Sequence, residues 1–569
     1  MVRVALVNMN YYRSQSGRAL LDIEPVHLLA MHNICRRAGH DSRIFQNGLH
    51  PLGDVRRYRP QVLGLSFIGH SPEAIADARA LVRSLPTPKP MLLLGGTDIR
   101  QYCGEYQTAF SQYYPYSTAE GLRPMAIMVQ GPGEHLVQAL ADHEFDFSPA
   151  FDQLSRVCRK KIGHHWVGPG MLVDGNVYIL DELSGIPLND QLFERDYDLA
   201  QYGHSAQVKW EDGCSARCDF CCNVAGRIDY VSPERAVAET RALIAQGAKK
   251  IRITGANFTA RPREATAIIQ ALVDNFSDSG VVFDFESRVD TLFAAVNLAP
   301  ETWRRFCRLL HHIELGVEAF LPSRLTRLGK YNHRHDPQAR AEEQPAQVEF
   351  LLQFFSGTGT HIIFFLINFD WQMTFNEAER EGAIMLDLLQ RFPWTMRLLA
   401  DNIFSVLHYS PGSRLAETMS PIDYFRFQDP RLLLLALYLK AKGAQLDKDS
   451  TESISFVHLI NGRILAELYC QALKVINTLP KDSFDLAAAL DHKTVSHKTL
   501  KRLARQLGFW RGRRLLAELD QIFNRLWANK KALTKEFAVR MLEERLPAIP
   551  ESQSLKDAFM QVLRNRGLL

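Results

Sequence analysis

The sequence lacks any uninterrupted apolar stretch approaching the ~18 residues that a membrane-spanning helix needs. Its nine cysteines are an odd number scattered over 569 residues, which does not fit a disulfide framework and predicts a reducing, cytoplasmic compartment. The apolar run at residues 2–7 is too short for a signal peptide. A net charge of +4 is too small to indicate nucleic acid. The composition and length therefore predict a large soluble enzyme of three or four domains, at about 150 residues each.

Three cysteines, Cys214, Cys218 and Cys221, stand together in the stretch W-E-D-G-C-S-A-R-C-D-F-C-C. A structural zinc site usually has four Cys or His ligands. After Cys222, however, the next cysteine is Cys307, and no histidine follows at zinc-finger spacing. Three thiolates on one loop can instead hold three irons of a [4Fe–4S] cluster and leave one iron open. The spacing predicts such a cluster, with zinc or a chance pattern as the alternatives.

Residues 1–150 alternate short apolar strands with helical patterns, which indicates a parallel, doubly wound α/β sheet. Such sheets bind ligands at the carboxyl ends of their strands. Glycines at these ends either let the backbone approach a bulky ligand or simply make tight strand-to-helix turns. The residues in question are Ser66, Gly95, Gly96, Gly131, Gly133 and Glu134.

After a predicted linker at residues 151–195, strands and helices alternate again over residues 196–425. This pattern indicates an open or partial α/β barrel with its active site at the carboxyl ends of the strands. Residues 426–569 have apolar residues at helical spacing, so we expect a helical C-terminal domain.

The C-terminal region is basic, with 24 Lys and Arg against 14 Asp and Glu from Pro430 onward. One basic run in it contains no acidic residue. Such a run is either a solvated helix face or a surface for an anionic substrate, and no nucleic-acid fold motif accompanies it. Its members are Lys493, Lys498, Lys501, Arg502, Arg505, Arg511, Arg513 and Arg514.

The cysteine spacing, with Phe220 just before the third cysteine, resembles the loop of the radical S-adenosylmethionine (SAM) enzymes. The segments E-S-R-V-D-T-L, H-I-E-L-G-V-E-A-F-L-P-S-R-L-T-R-L-G-K and Y-S-P-G-S-R-L-A are also similar to segments of that family. The first 150 residues resemble the cobalamin-binding domain at the front of many of these enzymes, through G-L-S, L-G-G and Q-G-P-G-E. Over most of residues 1–420 the chain therefore resembles the cobalamin-dependent (class B) radical SAM enzymes.

This resemblance implies three cofactors: a [4Fe–4S] cluster, SAM and cobalamin. It makes Cys214, Cys218 and Cys221 the iron ligands and the catalytic cysteines, with Cys222 as a bystander. SAM contacts are implied for Gly255, Asn257, Arg288 and Glu318, a barrel salt bridge being the alternative for the last two. The family's G-x-P-G-E is replaced by I-N-F-D-W-Q at residues 367–372. This segment either contacts SAM in a different way or lines a pocket that is specific to the substrate.

For cobalamin, the resemblance implies contacts from the strand-end residues: Ser66, Gly95, Gly96, Gly131, Gly133 and Glu134. The D-x-H-x-x-G motif that supplies a histidine to cobalt in the cobalamin-dependent mutases is missing from the corresponding residues 8–21. We therefore expect cobalamin to bind without that histidine. His70 is either a neighbour of the lower face of cobalamin or a solvent-facing or helix-capping residue.

The leading hypothesis is a methyltransferase that methylates a poorly activated carbon of a small metabolite through a 5′-deoxyadenosyl radical and methylcobalamin. It requires a small-molecule substrate and an external one-electron reductant. One alternative keeps both cofactors but catalyses ring formation, ring contraction or oxidative rearrangement without methyl transfer. Another is a non-catalytic cobalamin- or metal-binding module whose cysteines are structural.

Overall fold

The chain forms two compact units, each built from two segments. The first unit comprises Met1–Trp210 and Asp229–Arg252, and the second comprises Glu211–Ile228 and Ile253–Leu569. The cysteine loop thus belongs to the second unit, although the segments on both sides of it belong to the first. This computed structural model describes residues 1–9, 24–46, 52–67, 72–96, 99, 103–110, 126–146, 150, 158–162, 165–167, 177–182, 185–222, 228–398, 405–407, 410, 413–420, 423–448, 457–481, 484 and 497–529.

The first unit contains an eight-stranded sheet with the order β2-β1-β3-β4-β5-β8-β6-β7. Strands β1 to β5 and β8 pair in parallel, whereas β6 is antiparallel to both β7 and β8. The strands are β1 (Arg3–Asn8), β2 (Asp41–Gln46), β3 (Val62–Ser66), β4 (Met91–Gly95), β5 (Ala126–Gln130), β6 (Cys158–Ile162), β7 (His165–Val167) and β8 (Val177–Glu182). From β1 the chain adds β2 on one side of the sheet and β3, β4 and β5 on the other. A ligand crevice is expected between β1 and β3, where the strand order changes side in this way.

Alternating side chains of β1 enter two separate cores. Val4 and Leu6 pack in one with the helices Val26–Arg37 and Glu134–Asp142, while Ala5 and Val7 pack in the other with Pro72–Ser84 and Cys103–Phe110. A strand buried on both faces has helices on both sides of its sheet. The predicted doubly wound α/β region is therefore confirmed; the helix Leu52–Tyr58 completes it.

The predicted linker at residues 151–195 is wrong, because β6, β7 and β8 lie in it and extend the sheet. β8 pairs in parallel with β5, from Ala126 opposite Val177 to Gln130 opposite Asp181. The sequence C-R-K-K-I of β6 has no apolar run, so nothing local indicated a strand.

The first unit continues with two short 3₁₀ helices, Leu188–Asp190 and Leu199–Tyr202, and with β9 (Ser205–Val208). After the cysteine loop come β11 (Asp229–Tyr230), the helix Pro233–Ala245 and β12 (Lys250–Ile253), which lies beside β9. The residues S-P-E at 232–234 predict the start of this helix, and the structure confirms it: the Ser232 hydroxyl accepts a hydrogen bond from the Arg235 amide, and Pro233 occupies the first turn.

In the second unit, after the two-residue strand β10 (Glu211–Asp212), four parallel strands lie side by side in chain order. They are β13 (Val282–Arg288), β14 (Leu310–Glu318), β15 (His361–Leu366) and β16 (Met396–Arg397). The helices between and around them are Pro262–Phe276, Val289–Leu298, Pro300–Phe306, Pro322–Arg327, Pro337–Phe355, Phe375–Arg391 and Arg414–Thr418. The α/β class with parallel strands is thus confirmed here too.

The C-terminal helices are Pro430–Lys448, Val457–Asn477, His497–Gln506 and Phe509–Ala528. They are not a separate domain, because Val457–Asn477 packs directly on Phe375–Arg391. A Cβ on Gly382 would lie 2.8 Å from both the Tyr469 ring and the Cys470 sulfur, and the Tyr469 hydroxyl donates to the Ala378 carbonyl at 3.1 Å. A glycine at the crossing lets the two helices approach this closely.

The predicted basic run lies on the last two helices of this group. Its described side chains are all exposed: Lys501, Arg502, Arg505, Arg511, Arg513 and Arg514. That is the arrangement of a solvated helix face, and a role in binding an anion stays a prediction. No helix among the described residues is long and apolar enough to cross a membrane.

Candidate functional site

The cysteine loop brings the three predicted iron ligands together. Cys214 and Cys218 are buried in one apolar cluster, against which Cys221 and the Phe220 ring pack. The Cys221 amide donates to the Cys218 carbonyl at 3.1 Å, which closes the turn between these two ligands. Cys222 is partly exposed and lies outside this cluster. The loop therefore presents three thiols as a group, in the pattern that the spacing predicted.

Arg288, at the carboxyl end of β13, places its positive charge on this group. Its Nη1 donates to the Cys218 sulfur at 2.9 Å, and its Nε donates to Asp290 at 3.0 Å. Burial raises the pKa of the Cys214 and Cys218 thiols, and the Arg288 charge opposes that rise. A fixed guanidinium beside buried sulfurs stabilises the negative charge of thiolate ligands.

Lys330 and Glu318 lie beside these residues. The Lys330 ammonium donates to the carbonyls of Gly316 at 2.5 Å and Val317 at 3.0 Å, and it lies 3.9 Å from the Glu318 carboxylate. Burial lowers the pKa of Lys330 to about 8 and raises that of Glu318, while their mutual attraction opposes both shifts. Glu318 has a φ of +67°, a left-handed conformation that is strained for a non-glycine residue and recurs at functional sites.

A buried ion-pair network holds the segment after Glu318 in place. Arg324 is fully buried and donates to Asp370 at 3.1 Å, and the Glu381 carboxylate accepts hydrogen bonds from the Phe320 and Leu321 amides. The arginine of the predicted E-A-F-L-P-S-R segment is therefore a scaffold residue. Asp370, from the I-N-F-D-W-Q segment, also binds Arg327, so its carboxylate is engaged within the protein.

Asn257 is the centre of a buried polar cluster whose geometry fixes the orientation of its amide. Its Oδ1 accepts hydrogen bonds from the Arg288 amide at 3.2 Å, the Ser287 hydroxyl at 3.3 Å and the Thr291 hydroxyl at 3.0 Å. Its Nδ2 is buried without a hydrogen-bond partner among the described residues. A buried amide donor with no acceptor is costly, and a bound ligand with an acceptor would satisfy it.

Glu211, two residues before the glycine of the cysteine loop, is a site residue that the sequence did not indicate. Its side chain is fully buried, and its Oε2 accepts a hydrogen bond from the backbone N–H of Asn257 at 3.2 Å. A Cβ on Gly255 would lie only 2.1 Å from that oxygen. Gly255 is therefore required by the close approach of Glu211, which is a structural reason rather than a ligand contact.

At the carboxyl edge of the first unit's sheet, Asn8, Ser66 and Gly95 end neighbouring strands β1, β3 and β4. The Ser66 hydroxyl is 2.9 Å from Nε2 of His27, in the first turn of Val26–Arg37. Burial lowers the pKa of His27 to about 4, so this imidazole is neutral at pH 7. Sequence reasoning missed His27. Residues 10–23 and His70 lie outside the described residues.

The strand-end glycines differ in what surrounds them. A Cβ on Gly95 would meet no atom of the described residues within 4 Å, so these residues leave space at the end of β4. A Cβ on Gly96, whose φ is +101°, would lie 2.1 Å from the Phe67 carbonyl oxygen, so this glycine is required by a turn against β3. Gly131 and Gly133 also have positive φ. Gly133 directly precedes the helix Glu134–Asp142, whose first residue, Glu134, is buried. For Gly96, Gly131 and Gly133 the tight-turn interpretation is thus sufficient.

Comparison with known families and structures agrees with this geometry. The family model described as the Radical SAM superfamily matches residues 209–342. We refer to these residues as the radical SAM domain because of this similarity. The match spans the cysteine loop, Asn257, Arg288, Glu318 and Lys330. No curated protein matches the chain at a significant level.

Two solved structures share the fold. Both are of the radical SAM methyltransferase TsrM from Kitasatospora setae. The one with tryptophan substrate and a SAM analogue matches with a TM-score of 0.53 and 14% identity, over 73% of this chain and 75% of that chain. The one with cobalamin and a [4Fe–4S] cluster matches with a TM-score of 0.51 and 14% identity, over 83% of this chain and 99% of that chain. The likeness therefore extends well beyond the radical SAM domain.

Within the radical SAM domain, the structure brings together Cys214, Cys218, Arg288 and Glu318, four of the predicted site residues. It adds Lys330 and Glu211 to them. Lys330 is the last residue of the quoted segment H-I-E-L-G-V-E-A-F-L-P-S-R-L-T-R-L-G-K, which resembles the family, whereas Glu211 had no signal beyond its place before the cysteines. In the segment Y-S-P-G-S-R-L-A, the residues Tyr409, Pro411 and Gly412 lie outside the described residues.

Proposed function

We propose that the protein is a cobalamin-dependent radical SAM methyltransferase that acts on a poorly activated carbon of a small-molecule substrate. The observation that carries the proposal is the group of three thiols with Arg288 against Cys218, in a chain whose fold is shared along nearly the whole length of cobalamin- and cluster-bound TsrM. When bound, the cluster with SAM supplies radical chemistry, and cobalamin supplies a transferable methyl group.

The residues of the radical SAM domain fit an iron–sulfur cluster and SAM. Cys214, Cys218 and Cys221 would bind three irons, and Arg288 would balance the negative charge of the thiolates. The orphaned Asn257 Nδ2 is a donor. It therefore suits an acceptor of SAM, such as its carboxylate or a ribose hydroxyl, and not its amino group.

The first unit fits a bulky cofactor at the carboxyl edge of its sheet. The strand order reverses between β1 and β3, and among the described residues Gly95 has open space beside it at the end of β4. The neutral His27 holds the Ser66 hydroxyl at this edge. We propose cobalamin as the ligand, bound by Ser66, Gly95 and the turns that follow β4 and β5.

Anaerobic reconstitution with iron, sulfide, cobalamin, SAM and a reductant tests the proposal. Mass spectrometry of the products should show both S-adenosylhomocysteine and 5′-deoxyadenosine, in wild type and in Cys222→Ala, and neither product in Cys218→Ala. 5′-Deoxyadenosine alone would favour cyclisation or rearrangement without methyl transfer. Absence of both products from a protein with a full cluster would overturn the proposal.

A further inference from the structure

A group of side chains of the types that ligate metals lies near the amino ends of β13 and β14. It consists of Asp284, His311 and His312. Asp284 is in the first half of β13, whereas Arg288 ends that strand. The two histidines follow Leu310 at the start of β14, and Glu318 ends it. Because the strands are parallel, this group lies at the opposite edge of the sheet from the thiol-bearing site.

A break in the strand register aims the three side chains at one point. Phe283 pairs with Leu310, but the next residue, Asp284, pairs with His312, so His311 is an extra residue in β14. Successive side chains of a regular strand point to opposite faces. A bulge redirects one of them, and bulges recur next to functional sites. Here the bulge lets two consecutive histidines reach the same carboxylate.

The three ligand atoms form a small triangle. Asp284 Oδ1 is 2.9 Å from His312 Nδ1 and 3.2 Å from His311 Nδ1, and the two Nδ1 atoms are 3.0 Å apart. A tetrahedral zinc ion with bonds of about 2.0–2.1 Å separates its ligand atoms by about 3.3 Å, so a small outward movement would fit one. Each Nδ1 carries at most one proton, so hydrogen bonds join these atoms in pairs. A cation at the centre of the triangle would instead bind all three atoms at once.

The surroundings suit a bound ion. The Asp284 and His312 side chains are buried, at 0% and 4% exposure, while His311 is 37% exposed and leaves a path for entry. The other ring nitrogen of His312, Nε2, is 3.5 Å from the Glu314 carboxylate. A carboxylate behind a ligating histidine is the usual outer-shell arrangement of metal sites, because it orients the ring and raises its basicity.

We propose that Asp284, His311 and His312 bind one divalent first-row transition-metal ion, through Oδ1 and the two Nδ1 atoms. Two imidazoles and one carboxylate, without sulfur, match Zn²⁺ or Fe²⁺ and leave at least one coordination position for water. The ion would join β13 to β14 at the edge of the sheet remote from the thiols.

Zinc is the probe for the first test. Full-length protein, reconstituted with its iron–sulfur cluster so that the cysteines are occupied, is dialysed anaerobically against buffered micromolar Zn²⁺, and metals are counted by mass spectrometry. We expect about one zinc per chain in wild type and in His335→Ala, an exposed histidine of the same unit. His311→Ala and Asp284→Asn should lose that zinc and keep their iron. Wild-type zinc no higher than in His311→Ala would overturn the proposal.

Two further measurements do not depend on whether those variants fold. Zinc X-ray absorption on the wild-type protein should show only nitrogen and oxygen neighbours at about 2.0–2.1 Å, whereas a sulfur shell at about 2.3 Å would place the ion on cysteines and overturn the assignment. Glu314→Gln should weaken zinc binding about 10–100-fold. An unchanged affinity in that variant would contradict binding through His312.

Discussion

At the scale of single residues, the contact between Arg288 and the Cys218 sulfur gives the cysteine motif its chemical setting. Spacing alone shows that three thiols share a loop. It does not show that two of them are buried or that a guanidinium lies against one. Burial disfavours free thiolates, so the folded site holds them best when a cation or a metal shares their charge.

The four cysteines of the loop should behave differently. Changing Cys214, Cys218 or Cys221 to Ala should abolish the absorbance near 400 nm expected of a [4Fe–4S] centre, because a three-ligand site has none to spare. Cys222→Ala should retain the absorbance, since Cys222 lies outside the buried cluster. Iron analysis and visible spectra check both statements. Equal loss in Cys222→Ala would contradict the three-ligand assignment.

Asn257→Asp should weaken SAM binding at least tenfold while the cluster remains. The substitution keeps the shape and the Oδ1 acceptor but replaces the orphaned Nδ2 donor with a charged oxygen, which repels an acceptor of the ligand. Ser287→Ala is the control, since it removes a hydroxyl that bonds Asn257 Oδ1, Thr259 and the Arg288 carbonyl in the same cluster and leaves Nδ2 in place. Calorimetric titration with SAM would decide, and equal affinities in the two variants would count against the contact.

His27 makes the stability of the protein depend on pH. The unfolded chain protonates this histidine near its ordinary pKa of 6.5, whereas the folded protein does so only near pH 4. Between those values the unfolded state binds more protons, so stability falls as pH falls, by up to about 3 kcal/mol at pH 4. His27→Gln should lose that part of the pH dependence in urea unfolding. His335→Gln, at an exposed position, should keep the wild-type slope.

At the scale of elements, the ends of parallel strands carry both proposed cofactor sites. Ser66 and Gly95 end β3 and β4 in the first unit, and Arg288 and Glu318 end β13 and β14 in the second. Short apolar strands are recognisable in a sequence, so their ends were predicted to within a few residues. The function of each glycine at those ends was not, because it depends on which atoms lie opposite.

Gly95 and Gly96 offer a direct test of the cobalamin proposal. Gly95→Leu should fold normally and lose bound cobalamin, because its side chain would fill the open space at the end of β4. Gly96→Leu should be poorly folded with or without cobalamin, because its Cβ would collide with the Phe67 backbone. Corrinoid content by visible spectroscopy and folding by circular dichroism separate the two effects. A folded Gly95→Leu protein with full cobalamin would refute the placement.

At the scale of the whole molecule, residues far apart in the chain hold the first unit together. Glu24 is fully buried and accepts hydrogen bonds from Arg195 Nε at 2.5 Å, the Tyr197 hydroxyl at 2.5 Å and the Gln207 amide at 2.6 Å. This carboxylate connects the start of the first helix to the segment that leads into β9. The interval around residues 185–208 is therefore a structural part of the unit.

Glu24→Ala should destabilise the first unit by about 3–5 kcal/mol, because it leaves Arg195 buried without its partner charge. Asp54→Ala, which removes the surface ion pair of Asp54 with Arg57, should cost no more than about 1 kcal/mol. Urea unfolding followed by tryptophan fluorescence measures both. A small effect at Glu24 would mean that water reaches Arg195 after the substitution.

The sequence predicted those parts of the fold that are written in local patterns. The apolar runs of β1, β3, β4 and β5 and the capped helix after Ser232 are examples, because their periodicity and capping residues act over a few positions. Strands without such runs were missed, and so was β8, V-Y-I-L-D-E, although it has one. β2 is D-S-R-I-F-Q and β6 is C-R-K-K-I, and both owe their conformation to a neighbouring strand.

By itself, then, the sequence determined that three thiols share one loop and that α/β segments with parallel strands precede and follow it in the chain, because both follow from local sequence patterns. Only the tertiary structure decided that Arg288 lies on Cys218, that the donors around Oδ1 orient the Asn257 side-chain amide, and that a bulge directs His311 and His312 to Asp284. These are contacts between residues 27 to 70 positions apart or shifts of strand register. They depend on how separate elements pack, which no local pattern encodes.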